Sequence, residues 1–215
     1  FAAHAGAWYG KVVLVGLSLS AAGQQLPSGL DLSLYHFFQE LRLPWADALM
    51  VFTAELGDFQ VTLPLSLVVF GWLIWRRQHS AAWHWLAALG FGMMTNLLFQ
   101  GLLPVSSPVE VSQGVLGYSF PSSHATFSTL VFGFLAVLIA REIPPARRWI
   151  VYLAAAFMIV PIVFARLYLG IHWLTDTLAG LCLGLIWVTV LGLAYNRHPT
   201  AAVSWRGLLA ASAIA

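Results

Sequence analysis

The sequence carries very little charge and a single cysteine. Charged residues make up 8% of its 215 residues, whereas a soluble domain contains about 25%. One cysteine, Cys182, cannot support an intramolecular disulfide framework. The formal net charge is only +2, and the arginines are too scattered to form the clustered basic face of a nucleic-acid-binding protein. We therefore expect no nucleic-acid partner and no disulfide-stabilised fold.

Apolar residues dominate instead, at 60% of the chain. A helix that crosses a bilayer needs about 20 mostly apolar residues, and six stretches approach that length. The first lacks the small-residue cleavage site of a signal peptide, so we expect it to be retained. The sequence thus predicts an all-α integral membrane bundle of six transmembrane helices. The predicted runs are 7–23, 60–75, 82–103, 123–140, 149–165 and 174–195.

The other segments suggest how the chain is organised. Residues 24–59 mix prolines, glycines and charges with apolar pairs, which indicates an interfacial helical segment between the first two transmembrane helices. An ordinary loop is the alternative. We expect one membrane-embedded domain over 1–206. Because 207–215 turn apolar again and the chain begins with Phe1, we expect a fragment of a longer protein, with a further apolar segment and a fused or associated membrane domain.

The arginines predict which way the protein faces. Loops rich in Lys and Arg stay cytoplasmic, and most arginines follow the second, fourth or sixth apolar run. The connections on the other side hold the polar motifs described below. The sequence therefore predicts a multi-pass protein of the bacterial inner membrane, with membrane lipids around it and its site facing the periplasm or the exterior. The arginines in question are Arg76, Arg77, Arg141, Arg147, Arg148, Arg197 and Arg206.

The first polar motif, Pro121-Ser122-Ser123-His124, opens the fourth apolar run. A serine ahead of a helix is a common N-cap, and free N–H groups at a helix start bind anions. His124, just inside the helix, could protonate a departing alkoxide as a general acid. The alternative is a simple capped transmembrane helix whose histidine lies at the membrane surface.

The second motif joins Arg166 to His172 and Asp176. Residues four apart share a helix face, so the Asp176 carboxylate could hold the His172 imidazole in one tautomer, as in a serine-protease triad. A histidine activated in this way can act as a nucleophile. Arg166 offers a planar fork for phosphate oxygens. The alternatives are a His–Asp pair that satisfies itself at a helix start and an arginine that reaches to lipid head groups.

Polar groups in a membrane usually mark a site, and together the two motifs favour phosphoryl transfer. The pattern Pro-Ser-x-His followed by Arg-x5-His-x3-Asp resembles the type 2 phosphatidic acid phosphatase family, which shares its helical core with the vanadium haloperoxidases. The resemblance implies a lipid phosphatase that needs no metal or other cofactor. It implies His172 as the nucleophile, Asp176 as its orienting partner, His124 as the acid, and Arg166, Ser122 and Ser123 as the phosphate cradle.

The chain departs from this family pattern at three places. Ser123 stands where the family usually has Gly, and Ala165 where it usually has Ser. The first family motif, Lys-x6-Arg-Pro, is replaced by Gln100-x6-Ser107-Pro108, so two cations are absent. A charge-assisted contact contributes roughly 1.5–3 kcal/mol. We expect Gln100 and Ser107 to contact the substrate in their place, with slower catalysis or a different substrate.

Two functions follow as hypotheses. The first is a membrane lipid phosphatase that hydrolyses a phosphate monoester or pyrophosphate of a lipid through a phosphohistidine. The alternative is a catalytically weakened or inactive module for lipid-phosphate binding or phosphotransfer. A haloperoxidase is disfavoured because those enzymes are soluble. Glu55 and Asp58, ahead of the second run, could face the site, but the sequence favours assigning both to the water boundary.

Overall fold

The chain is all-helical wherever its structure is described. The structure is a computed structural model that describes residues 27–108, 118–197 and 205–214. The first predicted run, 7–23, lies outside these residues. The helices are α1 (Gly29–Glu40), α2 (Pro44–Glu55), α3 (Phe59–Trp75), α4 (His79–Leu102), α5 (Ser123–Glu142), α6 (Arg148–Tyr168), α7 (Leu174–Arg197) and α8 (Trp205–Ile214), with a short 3-10 turn at Pro145–Arg147.

Five helical stretches in the described residues are long and apolar enough to cross a membrane, and they overlap the last five predicted runs. One of them begins earlier than predicted. It starts at Pro44 and includes α2, which the sequence analysis assigned to an interfacial segment. The helix is interrupted at 56–58, between α2 and α3. The interfacial segment and the count of six helices both remain predictions.

Helix α5 lies at the centre of the bundle, in contact with α3, α4, α6, α7 and α8. Its side chains Leu130, Phe134 and Leu138 are fully buried and pack against Trp85 of α4 and Leu73 of α3. The surrounding helices expose large apolar side chains such as Phe157 on their outer faces. That distribution suits a bundle surrounded by lipid, in which outward-facing groups must be apolar.

The two ends of the bundle differ in charge. Helices α3, α5 and α7 begin at one end, where α4 and α6 finish. Both polar motifs lie at that end, because they fall at the start of α5 and around the turn from α6 to α7. Six described arginines follow α3 or lie near the α5–α6 connection and the end of α7, at the opposite end: Arg76, Arg77, Arg141, Arg147, Arg148 and Arg197.

Helix α8 covers part of the arginine end. It packs against α3 and α5, and Gly207 lies over the indole of Trp72. The sequence analysis placed a boundary between 206 and 207, which falls inside this helix. The domain limits and the further apolar segment remain predictions.

Two glycines of α7 let it approach α5 closely. A methyl group at Gly180 would collide with the carbonyl oxygen of Ser122, and one at Gly184 would lie 2.6 Å from Cβ of Thr129. Small residues spaced four apart commonly allow such close helix packing in membranes. The backbone N–H of Ser122 donates to the carbonyl of Asp176 at 2.9 Å. The glycines therefore hold the start of α5 beside the start of α7.

We predict that Gly180→Ala destabilises the protein by about 1–3 kcal/mol, because the methyl group meets rigid backbone. The measurement is the thermal unfolding midpoint in detergent. Gly90→Ala is the matched control, since Gly90 is also helical and has open space around it. That control should gain roughly 0.5–1 kcal/mol from helix propensity. Equal midpoints for the two variants would contradict the close packing.

Candidate active site

A glycine-terminated turn brings the second motif together. Gly170 adopts a φ of +69°, which glycine tolerates without strain. Its N–H donates to the carbonyl of Leu167 at 3.0 Å, and the N–H of Ile171 donates to the carbonyl of Arg166 at 3.1 Å. This pair of bonds is the Schellman motif that ends many helices. It reverses the chain between α6 and α7, so Arg166 and His172 meet at the same end.

His172 and Asp176 form a buried pair. Nδ1 of His172 lies 3.8 Å from Oδ2 of Asp176, and the two residues are 3% and 0% exposed. Oδ2 also accepts the N–H of Trp173 at 3.0 Å. At 3.8 Å the pair is beyond hydrogen-bond distance, and neither ring nitrogen of His172 has a hydrogen-bond partner among the described residues. The imidazole therefore keeps both nitrogens available for chemistry.

The first motif places His124 against the second. Ser122 is the N-cap of α5, and its Oγ accepts the N–H of Ala125 at 3.5 Å. His124 follows in the first helical turn, where Nη2 of Arg166 lies 2.6 Å from each of its ring nitrogens. The rings of His124 and His172 have centroids 6.5 Å apart. Arg166, His124 and His172 are thus close enough to touch one phosphoryl group.

Asp58 also faces the site, contrary to the sequence-based assignment to the water boundary. Its Oδ1 lies 3.8 Å from Nε2 of His124, and its side chain is 46% exposed. Asp58 caps α3 by accepting the N–H of Phe59 at 2.6 Å. Because the helix breaks between α2 and α3, this cap sits at the same end as the start of α5. Glu55 remains exposed at the end of α2, as expected.

Gln100 lies at the site but binds the protein itself. Its Nε2 donates to the carbonyl of Pro121 at 3.3 Å. Asn96, one helical turn earlier, donates to the same carbonyl at 3.2 Å and to Oγ1 of Thr126 at 3.1 Å. Both amides are about 1% exposed. They hold the loop that leads into Ser122. The sequence analysis missed Asn96, although two amides four apart on an apolar helix are a recognisable signal.

Ser107 lies in the segment after α4, beside the start of α7. The carbonyl of its neighbour Ser106 accepts the indole N–H of Trp173 at 2.9 Å. Ser107 itself is partly exposed and does not line the cavity next to His124. Of the two positions that replace the family's cations, only Gln100 reaches that cavity.

This cavity of about 230 Å³ lies between the start of α3, the end of α4 and the start of α5. His124 lines it, whereas Arg166 and His172 do not. His124 therefore connects the cavity with the Arg166–His172 cluster. The lining combines polar and apolar side chains, as expected near the junction of a lipid's head and tail: Asp58, Phe59, Met93, Asn96, Leu97, Gln100, Ser123, His124 and Phe127, with Gly57.

Helix α1 covers the turn that carries His172. Asp31 is 2% exposed and accepts the N–H of Thr175 at 3.0 Å and its hydroxyl at 3.2 Å. The same carboxylate completes a capping box with Ser28 at the start of α1. Tyr35, one turn later, packs on the ring of Trp173 with centroids 5.8 Å apart. The sequence analysis missed Asp31 because its partner lies 144 residues away.

Comparison with known proteins finds a family match over the part of the chain that holds both motifs. Residues 96–199 match the PAP2 superfamily. This segment, just under half of the chain, is similar to the PAP2 superfamily. The matched segment contains both motifs and Gln100, whereas Asp31 and Asp58 precede it.

Two PAP2 relatives have names that describe lipid phosphatases. Phosphatidylglycerophosphatase B of Bacillus subtilis is 26% identical over 152 residues, which cover 68% of this chain and 73% of the relative. Undecaprenyl-diphosphatase of Sulfolobus acidocaldarius is 22% identical over 188 residues, which cover 84% of this chain and 85% of the relative. At a general level, these PAP2 homologues indicate a membrane protein that hydrolyses lipid phosphates.

A solved structure has the same fold. It is the transmembrane PAP2 type phosphatidylglycerolphosphate phosphatase from Bacillus subtilis, with a TM-score of 0.73 and 22% sequence identity. The match covers 88% of this chain and 97% of that one. The similarity extends over nearly the whole of the solved structure, so the helices outside the two motifs belong to the shared fold.

We predict that Asp31→Ala lowers stability by about 1–3 kcal/mol, because it leaves the partly buried N–H of Thr175 without its acceptor. The thermal unfolding midpoint in detergent measures this effect. Asp47→Ala is the control, since Asp47 forms an exposed pair with Arg42 at 3.1 Å, a type worth about 1 kcal/mol or less. A loss no larger than in that control would contradict the role of Asp31.

Proposed function

We propose that this protein is a membrane lipid phosphatase that acts through a phosphohistidine at His172. The substrate is a phosphate monoester or diphosphate of a lipid. The observation that carries the proposal is the convergence of Arg166, His124 and His172, with the guanidinium 2.6 Å from one imidazole and the second imidazole 6.5 Å away between ring centroids. These groups are an anion binder, a proton donor and a nucleophile.

In the first step, a ring nitrogen of His172 attacks phosphorus and the bond from phosphorus to the lipid oxygen breaks. Asp176 lies beside Nδ1, so Nε2 is the attacking atom and the carboxylate stabilises the positive charge that develops on the ring. Arg166 and the N–H groups of Ser123 and His124, at the start of α5, hold the phosphate oxygens. Helix starts favour such anions because these N–H groups have no partner within the helix.

His124 moves the proton in both steps. It donates to the departing alkoxide, and it then accepts a proton from the water that attacks the phosphohistidine. In the resting structure the guanidinium of Arg166 contacts the His124 ring. Substrate binding therefore exchanges this contact for one between Arg166 and phosphate, which leaves His124 able to carry its proton.

The arrangement of charge supports a location and an orientation. The protein lies in the bacterial inner membrane, with the arginine end of the bundle in the cytoplasm and the active site facing the periplasm or exterior. The lipid reaches the site laterally from the outer leaflet. A fused or associated membrane domain remains part of this proposal.

One set of observations favours a second function. This function is lipid-phosphate binding or phosphotransfer without hydrolysis. Gln100 and Ser107 replace two family cations, and Gln100 is engaged with the Pro121 carbonyl. The carboxylate of Asp58 lies next to His124, which adds negative charge close to the phosphate. Such a module would bind lipid phosphate but release none of it.

We predict that His172→Ala abolishes phosphate release from lipid phosphates in detergent, because no nucleophile remains. His124→Ala should slow hydrolysis of an alkyl phosphate by about 10²–10⁴-fold. The same variant should lose much less activity on p-nitrophenyl phosphate, whose leaving group needs no proton. Labelled phosphate trapped on wild type and absent from His172→Ala provides a second measurement. Unchanged turnover in His172→Ala would refute the mechanism.

We also predict that Gln100→Lys lowers KM for a lipid phosphate about 10- to 100-fold, because a charge-assisted contact contributes roughly 1.5–3 kcal/mol. Adding Ser107→Arg should change KM little further, since Ser107 does not line the cavity. Gln100→Leu is the control for simple loss of the amide. If Gln100→Lys leaves KM unchanged, the phosphate does not approach this position.

A further inference from the structure

The charged side chain that lines the cavity next to His124 is negative, which is unusual for a site that binds phosphate. Among its lining residues, Asp58 is the only carboxylate, and no lysine or arginine contributes within the described part of the chain. The Asp58 side chain is nearly half exposed. A ligand in this cavity therefore meets a negative charge.

The amides of the cavity do not offset that charge. Nδ2 of Asn96 already donates to Pro121 and Thr126, and Nε2 of Gln100 donates to Pro121. These donors support the loop before α5. The Asp58 carboxylate accepts the N–H of Phe59 and lines the cavity, so it is placed to contact a ligand there.

The proposed chemistry fixes which part of the substrate lies here. A general acid must be within hydrogen-bond reach of the oxygen that it protonates. Nε2 of His124 lies 2.6 Å from Nη2 of Arg166 and 3.8 Å from Oδ1 of Asp58. When Arg166 moves onto the phosphate, an oxygen protonated by Nε2 lies close to the Asp58 carboxylate. Whatever is bonded to the leaving oxygen then enters the cavity, while the phosphoryl group stays with Arg166 and His172.

We infer that Asp58 selects the leaving group. The cavity takes a neutral or cationic leaving alcohol that carries a hydroxyl or ammonium group near the ester oxygen, and it rejects diphosphate lipids. This inference rests on the proposed function. In a monoester, the phosphorus–oxygen bond breaks and His124 protonates the oxygen to give an alcohol. In a diphosphate, the leaving group is a lipid monophosphate, whose negative charge would lie against Asp58.

Like charges a few ångströms apart in a partly solvated site repel strongly enough to change a rate about 10- to 100-fold. A hydroxyl or ammonium group instead donates a charge-assisted hydrogen bond to the same carboxylate. The apolar lining, including Phe59, Met93 and Phe127, accommodates the start of the lipid chain. One of the relatives is named an undecaprenyl-diphosphatase, and Asp58 disfavours a diphosphate of that kind here.

The test compares kcat/KM on lysophosphatidic acid, a monoester with a neighbouring hydroxyl, and on farnesyl diphosphate, with the purified full chain in detergent. Wild type should prefer lysophosphatidic acid at least about 10-fold. Asp58→Asn should reduce that preference about 10-fold or more, chiefly by raising the rate on the diphosphate. Asn is as good an N-cap as Asp, so α3 keeps its start. Asp58→Ser, also a good N-cap, should behave in the same way.

Glu55→Gln is the matched control, because it removes an equal charge three residues away from an exposed position outside the cavity. It should leave the preference unchanged. A gain on the diphosphate in Asp58→Asn cannot come from misfolding. An unchanged preference in both Asp58 variants, or a wild-type preference for the diphosphate, would overturn the inference alone. Absence of phosphate release from both lipids in every form would overturn the proposed function and the inference together.

Discussion

The close packing of α5 on α7 is the contact on which the rest of the site depends. It exists because Gly180 leaves room for the carbonyl of Ser122, and it is fixed by the bond from the Ser122 N–H to the Asp176 carbonyl. The starts of α5 and α7 meet there, so their N–H groups and side chains point into the same space. His124 and His172 are neighbours only because these two helices touch. A larger residue at 180 would separate the proposed acid from the proposed nucleophile.

A supporting set of polar contacts surrounds that junction. Buried polar groups are costly without partners, and this end of the bundle buries several of them. Asn96 and Gln100 share the carbonyl of Pro121, while Asp31 satisfies the N–H of Thr175. These bonds hold the entry to α5 and the first turn of α7. Gln100 occupies the position where the family usually has a lysine, but it is neutral and orders the loop before α5. Its contribution to the proposed chemistry is therefore indirect.

The features that the sequence predicted are local ones. Apolar runs of sufficient length predicted the last five spanning helices because lipid and core both demand continuous apolar surface. The spacing of four predicted that His172 lies next to Asp176, and the two are neighbours, although α7 begins only at Leu174 and His172 lies in the turn before it. Asp58 and Asp31 could not be assigned in this way. Their partners lie on other helices, which the sequence does not bring together. A single carboxylate before an apolar run is equally consistent with a helix cap that faces water.

Asp58, which the sequence favoured assigning to the water boundary, changes the electrostatic description of the site. By sequence, the absent lysine and arginine of the first family motif suggested a uniformly weakened phosphate cradle. In the structure, both charged groups approach the ring of His124: Nη2 of Arg166 lies 2.6 Å from each ring nitrogen, and Oδ1 of Asp58 lies 3.8 Å from Nε2. Phosphoryl transfer depends mainly on positioning and on neutralising charge at the transferred group. A cation next to the transferred phosphoryl group and an anion next to the leaving group would restrict which leaving groups are accepted. They would do so more than they slow phosphoryl transfer.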